Sequence, residues 1–339
     1  MKTVIIAEIG VNHNGSVKIA KKLIKKTAEA GTQFVKFQLF NPDKLVTPDA
    51  GLAGYQFKNL KKKKISQKKM LQKYTLNENK IIQLKKYAKK CKTSFLLSVF
   101  DVESLKIIKK LNLNLLKIPS GEITNYPLLK SISKMKVKII LSTGMSNINE
   151  ISQAIKILTS EKIKKKEIAL LQCNTDYPTD YSDVNLNVIK TLREKYKLRV
   201  GFSDHTDSFI IPSLAVCKGA EIIEKHVTLS KKMSGPDHKA SIEIKDFKKM
   251  IDLIKTTEKT FGSEIKQPTK SEKKNIKVAR KSIVAKLNIS KGENFNFKNL
   301  TTKRPGVGIS PMLIKRLIGK KSKNNYQKNQ LLKKTEVKK

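Results

Sequence analysis

The chain has 339 residues, 39% of them hydrophobic, with 72 Lys+Arg against 28 Asp+Glu, a formal charge of +44. That length accommodates one large domain and a small one. It offers no apolar run long enough to cross a membrane, and the three scattered cysteines, Cys91, Cys173 and Cys217, exclude a disulfide framework and fit reduced thiols in the cytoplasm.

Short apolar runs alternate with amphipathic stretches from the first residue to about residue 262. Strands are predicted at 4–10, 34–40, 94–100, 115–120, 138–144, 168–174, 199–205 and 221–227. Helices are predicted between them, among others at 16–30, 77–91, 102–111, 147–158 and 184–196, with a last one at 244–261. Several starts carry capping residues: Asn14-Gly15-Ser16 before the first, Asn77, and Asn147 with Glu150 three residues on, a capping-box spacing. Residues 41–75 form a long connection of the kind that serves as a lid or binding loop, and its lysine run at 61–64 reads as a solvated loop face.

Eight βα units with near-continuous apolar strands predict parallel strands buried on both faces. The fold class is therefore α/β, a (β/α)8 TIM barrel of roughly 250 residues. An open doubly wound sheet is disfavoured, because no G-x-G-x-x-G follows the first strand. The expected boundaries are 1–262 for the barrel, 263–278 for a polar linker containing Pro268, and 279–339 for a small β-rich domain.

The excess positive charge is nearly all lysine and is spread over every helical segment. A nucleic-acid surface more often has a local basic stripe with arginine and interleaved aromatics. The charge is therefore read as a solvated surface without specific nucleic-acid or membrane contact. A basic nucleic-acid-binding protein stays as the reading of a different class, and it predicts steeply salt-dependent binding.

In such barrels the site lies at the C-terminal ends of the strands. Those ends carry Glu8, Asn12 and His13; Lys36 and Gln38; Ser98; Lys117, Ser120 and Glu122; Ser142 and Thr143; Asn174, Thr175 and Tyr177; Ser203, Asp204 and His205; and Glu224 and His226. Asp237 and His238 follow. One such residue alone could be a paired core group or a turn former, but charged and hydroxyl groups at the same end of eight buried strands need a common reason. Lys36 and Lys117 with Ser98, Ser120, Ser142 and Ser203 suit a phosphate and a carboxylate. Two histidines on adjacent strands, His205 and His226, could give two nitrogens to one divalent metal, a weak and open site, or be hydrogen-bonded core residues.

The stretches AEIGVNHNGS, VKFQLF, KIPSGEITNYPLL, ILSTGMS, LQCNTDYPT, GFSDHT, EKHVTL, SGPDHKAS and TTKRPGVGIS together resemble the sialic acid synthase family, over residues 5–319. The C-terminal part resembles the antifreeze-like domain of these synthases. The resemblance implies a transferase of carbohydrate biosynthesis that condenses phosphoenolpyruvate, an N-acetylmannosamine-type sugar and water to a nine-carbon 2-keto acid and phosphate. It also implies a divalent metal, Mn2+ or Mg2+, and a domain-swapped homodimer. Carried over by motif, Lys36, Ser98, Lys117, Ser120, Ser142 and Ser203 hold phosphoenolpyruvate, and His205 and His226 hold the metal. Gln38, Tyr177 and Asp237 contact the sugar, Glu122 and Glu8 are the acid/base candidates, and Arg304 reaches from the small domain of one subunit into the barrel of the other and binds the sugar's N-acetyl group. The leading expectation is N-acetylneuraminate synthase. Synthases of legionaminate, pseudaminate or a 9-phosphate share the phosphoenolpyruvate and metal residues. The family pattern at the third strand is Ser-Thr-Pro-Phe, whereas this chain has Leu97-Ser98-Val99-Phe100, which keeps a hydroxyl and loses a proline.

Overall fold

A computed structural model describes residues 2–60 and 65–337. The lysine run at 61–64 lies outside the described residues. The chain divides into two compact units, residues 1–262 and 263–339.

The first unit is built on β1 (Val4–Gly10), β2 (Phe34–Leu39), β3 (Ser94–Val99), β4 (Leu115–Ile118), β5 (Lys138–Ser142), β6 (Ile168–Cys173), β7 (Arg199–Asp204) and β8 (Ile222–Thr228). Each strand pairs in parallel with the next, and β1 also pairs with β8, which closes the barrel. A two-residue strand, β9 (Ile242–Glu243), pairs in parallel with the end of β8.

The barrel follows from the two-residue period of its strands. One set of alternate residues, including Ile6, Leu96, Ile140, Ala169, Leu171 and Ile222, forms a closed apolar cluster inside the barrel. The other set, including Ile5, Ala7, Val35, Phe37, Leu97 and Ile223, joins the larger cluster beneath the helices. Two residues further along the inward-facing set, the composition switches to Glu8, Lys36, Ser98, Lys117, Ser142, Cys173, Ser203 and Glu224, all buried. The apolar layer is thus a floor, and the polar layer stands on it at the C-terminal end.

The capping signals act as expected. Ser16 accepts from the Ile19 amide at the start of Val17–Ala30, Asn77 caps Glu78–Lys90, and Asn147 and Glu150 form a reciprocal box on Ile148–Leu158. Two helices begin later than predicted. The helix expected at 102–111 spans Leu105–Lys110, because Asp101 takes the Ser104 amide and hydroxyl (2.8 and 2.7 Å) and holds the preceding residues in a turn. The helix expected at 184–196 spans Val188–Tyr196, because Asn185 has a φ of 50°, outside the helical range. The connection at 41–75 contains three short helices, Pro42–Leu45, Gly54–Asn59 and Gln67–Tyr74.

The second unit has a two-stranded antiparallel sheet, β10 (Ser282–Ala285) with β11 (Leu300–Lys303), and a small core of Ile283, Ile289, Phe295, Leu300, Leu317 and Tyr326 among others. The segment expected to be a polar linker is not featureless: it holds the helix Lys270–Ala279, opened by a capping box of Thr269 and Glu272. None of that helix is buried, which is why its sequence shows no apolar stripe.

Gly201 on β7 carries a steric demand. A Cβ there would meet the Ile222 carbonyl oxygen at 2.3 Å and the Leu171 side chain at 2.7 Å. Backbone on the neighbouring strand cannot yield cheaply, so Gly201→Ala should lose about 1–3 kcal/mol of stability or more. Urea unfolding of the variant checks this; an unchanged midpoint would contradict the packing described.

Candidate active site

The strand register brings the polar layer together. Glu8 lies opposite Lys36 on one side and His226 on the other. Gln38 is level with Ser98, Ser98 with Lys117, and Ser203 with Glu224. The result is a cavity of 120 Å³ lined by Glu8, Lys36, Gln38, Ser98, Lys117, Ser120, Ser142, Tyr177, Ser203, His205 and His226, with Glu224, Cys173 and Thr175. An adjoining cavity of 410 Å³ shares Gln38, Tyr177 and His226 and adds Glu122 and Asp237. Thirteen of the fourteen site residues expected from sequence therefore line these two cavities. The fourteenth, Arg304, belongs to the second unit, where its Nε donates to the Ala279 carbonyl at 3.0 Å.

Glu224 is the residue at this site that sequence reasoning left without a role. Its carboxylate is 3.2 Å from Lys36 Nζ and 3.4 Å from Lys117 Nζ, and it accepts from Ser203 Oγ at 2.9 Å. Burial alone would raise its pKa, but Lys117 and Lys36 outweigh burial and hold it at about 2. Glu8 lies 3.3 Å from Lys36, yet burial dominates there and raises its pKa. Lys36 is buried too, but Glu224 and Glu8 more than offset this and raise its pKa. Burial lowers that of Lys117, with Glu224 a partial offset. Two buried carboxylates and two buried lysines thus form one charged cluster, in which Glu224 is the carboxylate held firmly ionised.

The hydroxyls divide. Ser120 Oγ accepts from the Gly144 amide at 3.0 Å and lies 3.1 Å from Cys173 Sγ. Ser98 Oγ reaches the Phe37 carbonyl weakly, at 3.4 Å. Ser142 is buried in the lining. Cys173, read from sequence as a core thiol, is buried yet faces the cavity; its alternation with Leu171 carried that signal.

His205 and His226 lie edge to face with ring centroids 5.4 Å apart. Among the described residues no group of three or more His, Cys, Asp or Glu is disposed around a metal. The chemistry of the pair fits a divalent cation. Burial lowers the pKa of His205 to about 4 and that of His226 well below its usual value, so both rings are neutral. His205 Nδ1 lies against the Asn174 carbonyl, which can only accept. The proton is therefore on Nδ1, and Nε2 presents its lone pair. His226 Nδ1 is buried with no hydrogen-bond partner. Tyr177 stacks on His205 at 4.1 Å, donates to its Nε2 at 3.2 Å, and meets His226 edge-on at 5.5 Å.

The larger cavity is mostly apolar, with Val11, Phe40, Val46, Met70, Leu71 and Phe100 in its wall. Tyr55, from the 41–75 connection, packs 4.9 Å from Tyr177 and closes one side. No lysine or arginine is among the described residues that line it. Glu122 is buried, with a raised pKa, and accepts from Asn125 Nδ2 at 2.6 Å. Burial, then Glu8, raises the pKa of Asp237 from its usual 3.8 to about 7.

That shift fixes a pH dependence. Between pH 3.8 and about 7 the folded chain holds a proton on Asp237 that the unfolded chain has lost. Its contribution to stability is complete below the lower value and is lost as pH rises through the upper one. Asp237→Asn removes this effect, so the ligand-free variant should gain stability over wild type as pH rises from 4 to 7 and keep that gain at pH 8, on the order of a few kcal/mol. Thermal unfolding at pH 4, 6 and 8 tests it; a difference that does not grow with pH would contradict it.

Comparison with known proteins gives this geometry a family. The sequence matches the NeuB family over residues 23–266 and the SAF domain over residues 280–338. It is 47% identical over 331 residues to the N,N'-diacetyllegionaminic acid synthase of Campylobacter jejuni, covering 98% of this chain and 99% of that protein. It is 31% identical over 341 residues to a pseudaminic acid synthase of Campylobacter jejuni, covering 99% and 96%. Among solved structures, the N-acetylneuraminic acid (sialic acid) synthetase of Leptospira borgpetersenii, in complex with citrate, superposes with a TM-score of 0.70 at 31% identity, over 81% of this chain and 90% of that one. A closed barrel with a polar layer at its mouth, followed by a SAF domain, makes this chain a member of the NeuB family and an enzyme of the sialic acid synthase type.

Proposed function

We propose that the enzyme condenses phosphoenolpyruvate and water with an unphosphorylated six-carbon sugar bearing two acetamido groups, and releases phosphate and N,N'-diacetyllegionaminate. The observation that carries this reading is the division of charge between the two cavities. The small one gathers two buried lysines with four serines, which suits a phosphate ester with a carboxylate. The large one has an apolar wall and no described cation, which suits a sugar without a phosphate. The 47% identity to a diacetyllegionaminic acid synthase over nearly all of both chains favours the diacetamido sugar over N-acetylmannosamine.

In the reaction, C3 of the enol bonds to the sugar's aldehyde carbon, water adds to C2, and C–O cleavage releases phosphate. Lys36 and Lys117 hold the phosphate and stabilise its charge as it leaves. His205 and His226 would hold a divalent cation, Mn2+ or Mg2+, whose contribution is Lewis-acid polarisation of the aldehyde oxygen. Glu122, with its pKa raised by burial, accepts a proton from the attacking water and returns one. Glu8, buried between Lys36 and Gln38, is placed to exchange a proton beside the enol. Gln38, Tyr177 and Asp237 orient the sugar. Arg304 of one subunit serves the barrel of the other in a domain-swapped homodimer. No helix among the described residues is long and apolar enough to cross a membrane, and the reading places the enzyme in the cytoplasm.

Purified protein with phosphoenolpyruvate, Mn2+ and one sugar at a time tests the proposal. Phosphate release should be fastest with the diacetamido hexose, slower with N-acetylmannosamine and absent with N-acetylmannosamine 6-phosphate. A preference for the phosphorylated sugar would overturn it. Glu122→Gln should leave phosphoenolpyruvate affinity within about twofold while turnover falls by roughly 10²–10⁴; undiminished turnover would remove Glu122 from the acid/base role.

A further inference from the structure

The strand period that turns Glu224 and His226 into the barrel turns Lys225 outward, among the residues beneath the helices. Its side chain is fully buried, as is that of Asp204 on β7, and the two form an ion pair at 2.6 Å. Lys225 Nζ also donates to the Thr206 carbonyl, again at 2.6 Å. Asp204 uses its other oxygen to accept the Thr206 amide at 2.9 Å.

A buried ion pair is a poor device for stability alone, because desolvation consumes much of its attraction and apolar residues of similar volume often do as well. This one does what apolar residues cannot. The register of β7 on β8 ends at Asp204 and Lys225, so His205 lies one residue beyond the last paired position. The ammonium grips residues 204 and 206, on either side of His205, and belongs to the residue next to His226. The other hydrogen bonds of His205 run to Asn174, Tyr177, Thr179 and Ser203, none of them on β8. Lys225 is thus a direct tie from the strand that carries His226 to the residues on both sides of His205, beside the indirect link through Ser203 and Glu224.

We propose that Lys225 and Asp204 are a positioning pair that sets the separation of the two imidazoles and thereby the affinity of the site for a divalent cation, an inference that rests on the two-histidine reading above. Neither residue lines either cavity. Lys225 fixes the His205 backbone relative to β8, Asp204 fixes the turn at Thr206, and the two imidazoles lie side by side at the barrel mouth.

The test uses the full chain and Mn2+ alone. Lys225→Met by itself strands a buried carboxylate and is expected to be unstable. The informative variant is Asp204→Asn with Lys225→Met, which removes both charges at nearly constant volume and keeps an acceptor for the Thr206 amide. It should unfold cooperatively, bind phosphoenolpyruvate in the presence of a chelator as wild type does, and bind Mn2+ about 10–100-fold more weakly by titration calorimetry. Wild-type Mn2+ affinity in the folded double variant would overturn the proposal. So would failure of that variant to fold, or an equal loss of phosphoenolpyruvate affinity, either of which would assign the pair to structure. If wild type itself binds no Mn2+, the two-histidine reading falls, and this inference falls with it.

Discussion

The structure depends on one buried carboxylate. Glu224 stands between Lys36 and Lys117 on the apolar floor of the barrel, where an unpaired ammonium would be costly to hold. The floor is closely packed at Gly201, where a Cβ would meet Leu171 and Ile222. Glu224, together with Glu8, therefore pairs the two lysines inside the barrel. The surface lysines differ, because exposed charges are screened and are spread over the whole molecule.

The same two-residue alternation divides the remaining chemistry. On β7 and β8, Ser203, Glu224 and His226 face the barrel, and Asp204 and Lys225 face the helix layer. Groups that line the cavity and the Asp204–Lys225 ion pair are therefore sequence neighbours on opposite sides of one wall. The larger cavity draws on another part of the chain: Tyr55, Met70 and Leu71, in the long second connection, supply much of its apolar wall, so under the proposed function the loop shapes the sugar side of the site.

Much of this was legible in the sequence because it rests on local pattern. Polar residues following apolar ones at two-residue spacing, at the same end of eight runs, mark both the barrel and its mouth. The caps at Ser16, Asn77 and Asn147 are equally local. What the sequence hid depends on closure. Glu224 sits beside His226 in plain view, but its role appears only when β8 returns to β1 and brings it within reach of lysines on β2 and β4. Tyr55 lies in a segment without periodicity, and nothing local shows that it packs on Tyr177. The helix at Lys270–Ala279 was missed although Thr269 and Glu272 spell a capping box, because a helix that buries nothing has no apolar stripe to betray it.

The central claim is that one small basin holds an anion on Lys36 and Lys117 and a cation on His205 and His226. A crystal of the enzyme with phosphoenolpyruvate and Mn2+, with data collected at the manganese absorption edge, tests it directly. The account predicts one anomalous peak within coordination distance of both imidazoles, with the phosphate on the two lysines. A peak remote from the histidine pair, or a phosphate bound away from Lys36 and Lys117, would contradict it.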